Sequence, residues 1–304
     1  MTDRHHYVSQ FHLREFCACP TTEAPEPFLW VGDIHTNTIK RRAPRNLAWE
    51  RGLFEGPGGL ADREASLENH LAEAIEGPAA SALRRFIGMA RGERTGLPAE
   101  VGRYLAWAAA RPLPMLELWR EWADAMPASL DESQLAEPPL PGLFEAKEIH
   151  RLHSLKHPTL GVRDDVPTRD VETLKTEGWR LMLGTDDWPE LVHLQAWYFQ
   201  ARFFPRLRWI VLDAPEGLYF VLGDRPVIWG ANGRFDLPPR YLRLPSAELI
   251  APLSKSVALF GCNPHAQIPS EITPDQINKA ITRSATAWIV GSDFATVEQA
   301  LCYR

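Results

Sequence analysis

The sequence predicts an α+β fold. A helical N-terminal and middle region packs against a mainly antiparallel sheet, supplied by the C-terminal third and a short N-terminal hairpin. Two observations predict it. Apolar residues recur at helical spacing from Asp62 to about Arg91 and again after Pro98. Short β-branched and aromatic runs, bounded by turn residues, follow from Trp209 onward. Helices first and strands later suggest α+β over a wound βαβ sheet. The 304 residues read as a single domain over 1–304, helix-rich over 62–206 and strand-rich over 207–304.

The elements follow in order. Residues 1–16 mix two adjacent histidines with residues that want burial, so this terminus is expected to dock into the fold. A loop rich in proline and acidic residues runs from Cys19 to Pro27. Phe28 to Val31 predicts a strand, Gly32-Asp33 a turn, and Thr36 to Lys40 the returning strand of a hairpin. Leu67, Leu71, Ala74 and Ile75, then Leu83, Phe86 and Ile87, mark a helix that Gly77-Pro78 should kink or split. Pro98 opens a second helix with Val101, Leu105 and Ala108 as its stripe. Pro112 and Pro114 break it, and Met115 to Met126 resumes. Residues 127–143 read as a long surface loop. Helices are expected over Phe144 to Leu155, Asp170 to Leu183 and Leu191 to Phe204. Trp209 to Leu212, a turn over Asp213 to Gly217, and Leu218 to Leu222 predict a second hairpin. Glu248 to Leu253 and Val257 to Gly261 add strands. Thr273, Pro274 and Gln276 carry the start signals of a helix through about Ser284, and Ala287 to Val290 is a final strand.

Composition excludes several classes. Hydrophobic content of 45% and charged content of 24% are those of an ordinary globular protein. The net charge of −6 argues against non-specific coating of nucleic acid. It leaves room for a local basic groove, for which Lys40-Arg41-Arg42 with Arg45 is the best stretch. The competing reading is a solvated charged turn. No apolar run approaches the ~20 residues of a membrane span, and no secretory signal core is present. The four cysteines are too sparse for a disulfide scaffold. A cytoplasmic protein is expected. The phosphate loop, the dinucleotide fingerprint, Gly-x-Ser-x-Gly, His-Glu-x-x-His and the kinase signatures are all absent from the sequence.

Five constellations could carry chemistry. On an extended segment His5 and His6 point to opposite faces, so one faces a site and the other supports it. Asp224, in Gly223-Asp224-Arg225-Pro226-Val227, ends an apolar strand, where it could enter a cleft or instead cap a turn or pair with an arginine such as Arg14. Glu68, Glu73 and Glu76 lie on the first long helix, and Glu76 directly precedes its break. Cys17-x-Cys19 with His12 and His5/His6 upstream is a poor match to zinc spacing. His150, His153 and His157 share a helical face with Lys147, Arg151 and Lys156, a local positive field that disfavours a cation.

His5-His6-Tyr7-Val8-x-Gln10-Phe11-x-Leu13-Arg14-x-Phe16 resembles the opening motif of the domain of unknown function 4238 family. Further blocks agree in order: Ser66-Leu67-Glu68 to Ile75-Glu76-Gly77, Ala110-Arg111-Pro112, Gly223 to Val227, Pro252-Leu253-Ser254 and Ile277-Asn278. Ser9 stands where that motif has proline, and Glu15 where it has asparagine. The resemblance implies one domain of that type and a set of polar positions that converge.

The favoured expectation is a hydrolase, most plausibly a metal-assisted phosphodiesterase or nuclease. Its catalytic set would be His5, His6, Arg14, Glu76, Arg111 and Asp224. His6, Glu76 and Asp224 would hold a divalent metal that activates water. Arg14 or Arg111 would stabilise developing phosphate charge. Its partner would be nucleic acid or a phosphate-containing small molecule. The alternative is a non-catalytic binding or sensor module in which the same residues form a structural polar network.

Overall fold

The computed structural model of the chain describes residues 4–18, 26–51, 71–89, 92–94, 96–112, 203–235, 246–266 and 272–304. Within them the α+β expectation holds. The chain opens with strand β1 (Arg4–His6) and the short helix α1 (Gln10–Arg14). Strands β2 (Leu29–Asp33), β3 (Ile39–Arg42) and β4 (Trp49–Arg51) follow. A π-helical segment, Leu71–Glu76, runs into helix α2 (Gly77–Met89), and then come β5 (Gly92–Arg94) and helix α3 (Ala99–Ala110). The later part contributes β6 (Arg208–Asp213), β7 (Leu222–Gly223), β8 (Ile228–Ala231), β9 (Ala247–Pro252) and β10 (Val257–Cys262). It ends with α4 (Pro274–Ser284), β11 (Trp288–Gly291) and α5 (Phe294–Leu301).

All described strand pairs are antiparallel. They form a β1-β4 pair, a five-stranded sheet in the order β5-β6-β10-β9-β8, and a four-stranded sheet in the order β3-β2-β11-β7. Strand β10 reads Val-Ala-Leu-Phe-Gly-Cys and is buried throughout, as a central strand covered on both faces must be. Its neighbour β6 alternates buried and half-buried residues, and Trp209 and Val211 point into the core. The N-terminal hairpin β2-β3 joins the C-terminal strand β11, as expected. Helix α5 sits on that sheet at close range. A methyl group added at Gly32 would come within 2.8 Å of Val297, and one at Gly291 within 2.9 Å of the same residue. The two glycines allow α5 to seat directly against the backbone.

Local signals match where they were strong. Thr273 and Gln276 form a reciprocal capping box at the start of α4, with Pro274 in its first turn. Gly77-Pro78 marks the change from π-helical to α-helical winding. The expected hairpin between Trp209–Leu212 and Leu218–Leu222 is a correction. Strand β6 pairs with β10 and β5, while only Leu222 and Gly223 form a strand, and they pair with β11 in the other sheet. The backbone of 218–221 is satisfied elsewhere. Phe220 N–H donates to Lys255 O, Val221 N–H donates to Asn278 Oδ1, and Asn278 Nδ2 donates to Tyr219 O. One buried asparagine on α4 and one backbone carbonyl thus stand in for a ladder of strand bonds. Strands β1, β4 and β5 and helix α5 had no clear signal in the sequence, apart from Asp293, which caps α5 through Thr296 N–H. The helices expected over Met115 to Met126, Phe144 to Leu155 and Asp170 to Leu183, and most of Leu191 to Phe204, lie outside the described residues. No helix among the described residues is long and apolar enough to cross a membrane.

Candidate functional site

The site is built around the opening block. Strand β1 is extended, with His5 opposite Glu50 and His6 opposite Trp49, and Tyr7 N–H continues the pairing to Ala48 O at 2.9 Å. Ser9 then turns the chain, and its carbonyl accepts from the backbone of His12 and Leu13, both at 3.1 Å. Helix α1 has only five residues and could not persist alone. Burial of Val8, Leu13 and Phe16 holds it, together with polar anchors on both sides.

His12 is the first anchor. It is wholly buried, with Nε2 2.8 Å from Pro252 O and Nδ1 2.9 Å from the Tyr104 hydroxyl. A carbonyl only accepts, so Nε2 carries the proton and Nδ1 accepts from Tyr104. Burial lowers the His12 pKa to about 4, against the backbone bond to Pro252, and the ring is neutral at physiological pH. Burial likewise pushes the Tyr104 phenol well above its ordinary value. The Pro252-Leu253-Ser254 block therefore serves as the receptor for α1. Ser254 Oγ organises that turn by accepting from Ser256 N–H and Val257 N–H.

Arg111 is the second anchor and the centre of the site. It follows the last residue of α3 and is 5% exposed. Its Nε donates to Tyr7 O at 3.2 Å, Nη1 to Glu76 Oε1 at 2.9 Å, and Nη2 to Ser9 Oγ at 2.9 Å. Ser9 in turn donates to the same Glu76 oxygen at 2.6 Å. Glu76 and Arg111 thus meet the opening block. The block meets them through Ser9 and the Tyr7 carbonyl. The Glu76 side chain keeps 27% exposure, and its other oxygen has no hydrogen-bond partner among the described residues.

Tyr7 links this cluster to Asp224. Its hydroxyl accepts from Trp288 Nε1 at 3.1 Å, and burial raises its pKa to about 12, with the charges of Asp224 and Glu50 adding smaller upward contributions. Asp224 is 1% exposed and is held by one loop. Thr286 N–H lies 3.1 Å from both carboxylate oxygens, Thr286 Oγ1 donates to Oδ2 at 2.7 Å, and Ala287 N–H donates to Oδ2 at 2.6 Å. Burial raises the Asp224 pKa, and these bonds oppose the rise. The carboxylate ties the end of β7 to the start of β11. This is the turn-capping role that the sequence left open beside the catalytic one.

His6 is half-buried, and its Nε2 is 3.2 Å from Gln10 Nε2; His5 is described by its backbone only. Arg14 and Glu73 are exposed. Cys17 is buried, its thiol 3.8 Å from Leu13 O, and burial pushes its pKa up to about 11, which makes it an inert core residue. Glu68, Cys19 and the triplet His150, His153 and His157 lie outside the described residues. Among the described residues no group of three or more His, Cys, Asp or Glu side chains could hold a metal ion. Sequence reasoning carried Tyr7 in the opening motif and Asn278 in a matching block, and missed Ser9, His12 and Tyr104 as members of the polar framework. Within the opening motif, Ser9 in place of proline was the one visible signal.

No curated protein and no solved structure matches the chain. Residues 4–110 match the family model described as "Protein of unknown function (DUF4238)". Over that stretch, which carries the opening block, Ser9, Tyr104 and Glu76, the chain is similar to this family of unknown function.

Proposed function

We propose that the chain is a non-catalytic binding module, in which the polar residues flagged by the sequence lock the opening block onto the fold. The observation that supports this is that the buried cation and the buried carboxylate are already engaged within the fold. Arg111 divides its guanidinium among Ser9, Glu76 and Tyr7 O, and Asp224 gives both oxygens to Thr286 and Ala287. A metal or phosphate at either residue would have to displace buried bonds that the fold itself uses, at about 1–3 kcal/mol each. Buried polar bonds that reach across the fold in this way favour one docked arrangement.

A second reading keeps the hydrolase, acting on a phosphate ester or nucleic acid with a divalent metal. It rests on Glu76 alone. One oxygen is held by Arg111 and by the Ser9 hydroxyl at 2.6 Å, and the side chain stays partly exposed. That geometry suits a general base.

One experiment separates the two. Wild type, Glu76→Gln, Arg111→Met and Asp224→Asn are assayed against bis(p-nitrophenyl) phosphate and a labelled oligonucleotide with magnesium, manganese or zinc, beside thermal melts. The lock reading expects lowered melting temperatures in the variants and no hydrolysis above background in any sample. Hydrolysis by wild type that Glu76→Gln abolishes at unchanged melting temperature would overturn it.

A further inference from the structure

The hairpin β2-β3 carries a surface that the network does not use. Phe28 and Trp30 share one face of the hairpin by the two-residue period, and Arg41 lies directly across from Trp30. Phe28 and Trp30 meet edge to face at 5.8 Å, and Trp30 meets Phe294 of α5 in the same way at 5.3 Å. The Arg41 guanidinium lies 4.9 Å from the Phe28 ring centre and 4.7 Å from that of Trp30. Arg41 is exposed and makes no hydrogen bond among the described residues, and Phe294 is 42% exposed. Lys40 and Arg42 flank it on the opposite face of β3, which is the edge of its sheet. The carboxylates of the hairpin are already engaged. Glu26 pairs with Arg45 at 3.4 Å, and Asp33 accepts from His35 and Thr36 in the turn. Charging an edge strand protects it from aggregation. That accounts for Lys40 and Arg42. It does not account for an arginine stacked on two aromatic rings beside an exposed third.

We infer that this aromatic and basic face binds single-stranded nucleic acid. The exposed Phe294 ring and the outer surface of the Arg41 guanidinium offer stacking faces for unpaired bases, and the free N–H groups of Arg41 meet phosphates on this face, with Lys40 and Arg42 adding positive charge from the adjoining edge of the sheet. An acidic peptide would use the cations and leave the rings idle. A lipid surface would need more apolar area than the one exposed ring present. The inference deepens the binding-module reading by naming a partner class, and it shares no side chain with the Arg111 network. Failure of the inference leaves the hydrolysis result untouched.

The test is fluorescence anisotropy of a labelled twelve-nucleotide oligouridylate with the full chain, at about 25 mM and about 200 mM salt. Duplex DNA, polyglutamate and phosphatidylserine vesicles serve as competitors. Phe294→Ala and Arg41→Ala change exposed side chains, so the fold is expected to persist, and a melt of each checks this. Saturable binding at low salt is expected. Loss of one stacking partner, at ~1–3 kcal/mol, should weaken it by ~5- to 150-fold. Lys40→Ala should flatten the salt dependence by roughly 0.7 in log–log slope. Absence of binding at low salt would overturn the inference. So would binding indifferent to both Phe294→Ala and Arg41→Ala, or stronger competition by polyglutamate or vesicles than by unlabelled oligonucleotide.

Discussion

Replacing Arg111 by methionine keeps most of the side-chain volume and removes all three donors at once. The Tyr7 carbonyl and the Ser9 hydroxyl each lose a buried bond, worth about 1 kcal/mol apiece. Glu76 loses its ion pair. Breaking a fully buried pair costs ~3–5 kcal/mol, but the Glu76 side chain is 27% exposed and water recovers part of this, leaving about 2 kcal/mol. The expected loss is therefore ~3–4 kcal/mol. For a domain of this size that corresponds to roughly 6–16 °C in melting temperature. Glu76→Gln leaves a buried cation with a neutral partner and should cost ~2 kcal/mol. The double variant should lose less than the sum of the two by ~1–2 kcal/mol, because the pair is removed once. Urea denaturation followed by circular dichroism measures all four corners of the cycle. A loss below about 1 kcal/mol for Arg111→Met, or strict additivity, would refute the reasoning.

Four further outcomes follow from the same geometry. The neutral His12 ring takes up a proton only near pH 4, whereas in the unfolded chain it does so near 6.5; stability should therefore fall as pH drops through that window, by up to ~3 kcal/mol, and urea titrations of His12→Gln should show a flatter profile than wild type. Asp224→Asn places an amide against donors that need acceptors, and calorimetry should show a loss of ~2–4 kcal/mol. Ser9 has φ −62° and ψ 135°, which proline can adopt, so Ser9→Pro should fold and lose only ~1 kcal/mol in denaturant unfolding, the bridging hydroxyl being partly offset by a stiffer unfolded chain. Gly32→Ala drives a methyl group into Val297 and Leu301 under α5 and should destabilise by ~1–3 kcal/mol in thermal melts.

Much of the fold was legible because its signals are local. The capping box of α4, the Gly77-Pro78 boundary and the apolar run of β10 each act within a few residues. Residues 218–221 were misread for a physical reason. Their β-rich composition fits a strand, but distant groups meet their backbone: Asn278 bonds Tyr219 O and Val221 N–H, and Lys255 O accepts from Phe220 N–H. Strands β1 and β4 are three residues each and exist only because distant segments meet, which no local pattern encodes. Within the site, Glu76, Arg111 and Asp224 stood out as polar residues in otherwise structured blocks. Which atoms they meet did not. Ser9 and His12 were not legible because their bonds reach 67 to 240 residues along the chain.

Native-state hydrogen exchange at the opening block tests the central claim most directly. In wild type the Tyr7 amide, bonded to Ala48 O, and the Leu13 amide, bonded to Ser9 O, should be protected. In Arg111→Met both should exchange at least tenfold faster, while the amides of β10 follow only the change in global stability. Equal protection of Tyr7 and Leu13 in the two proteins, after correction for global stability, would contradict the claim that Arg111 locks the block in place.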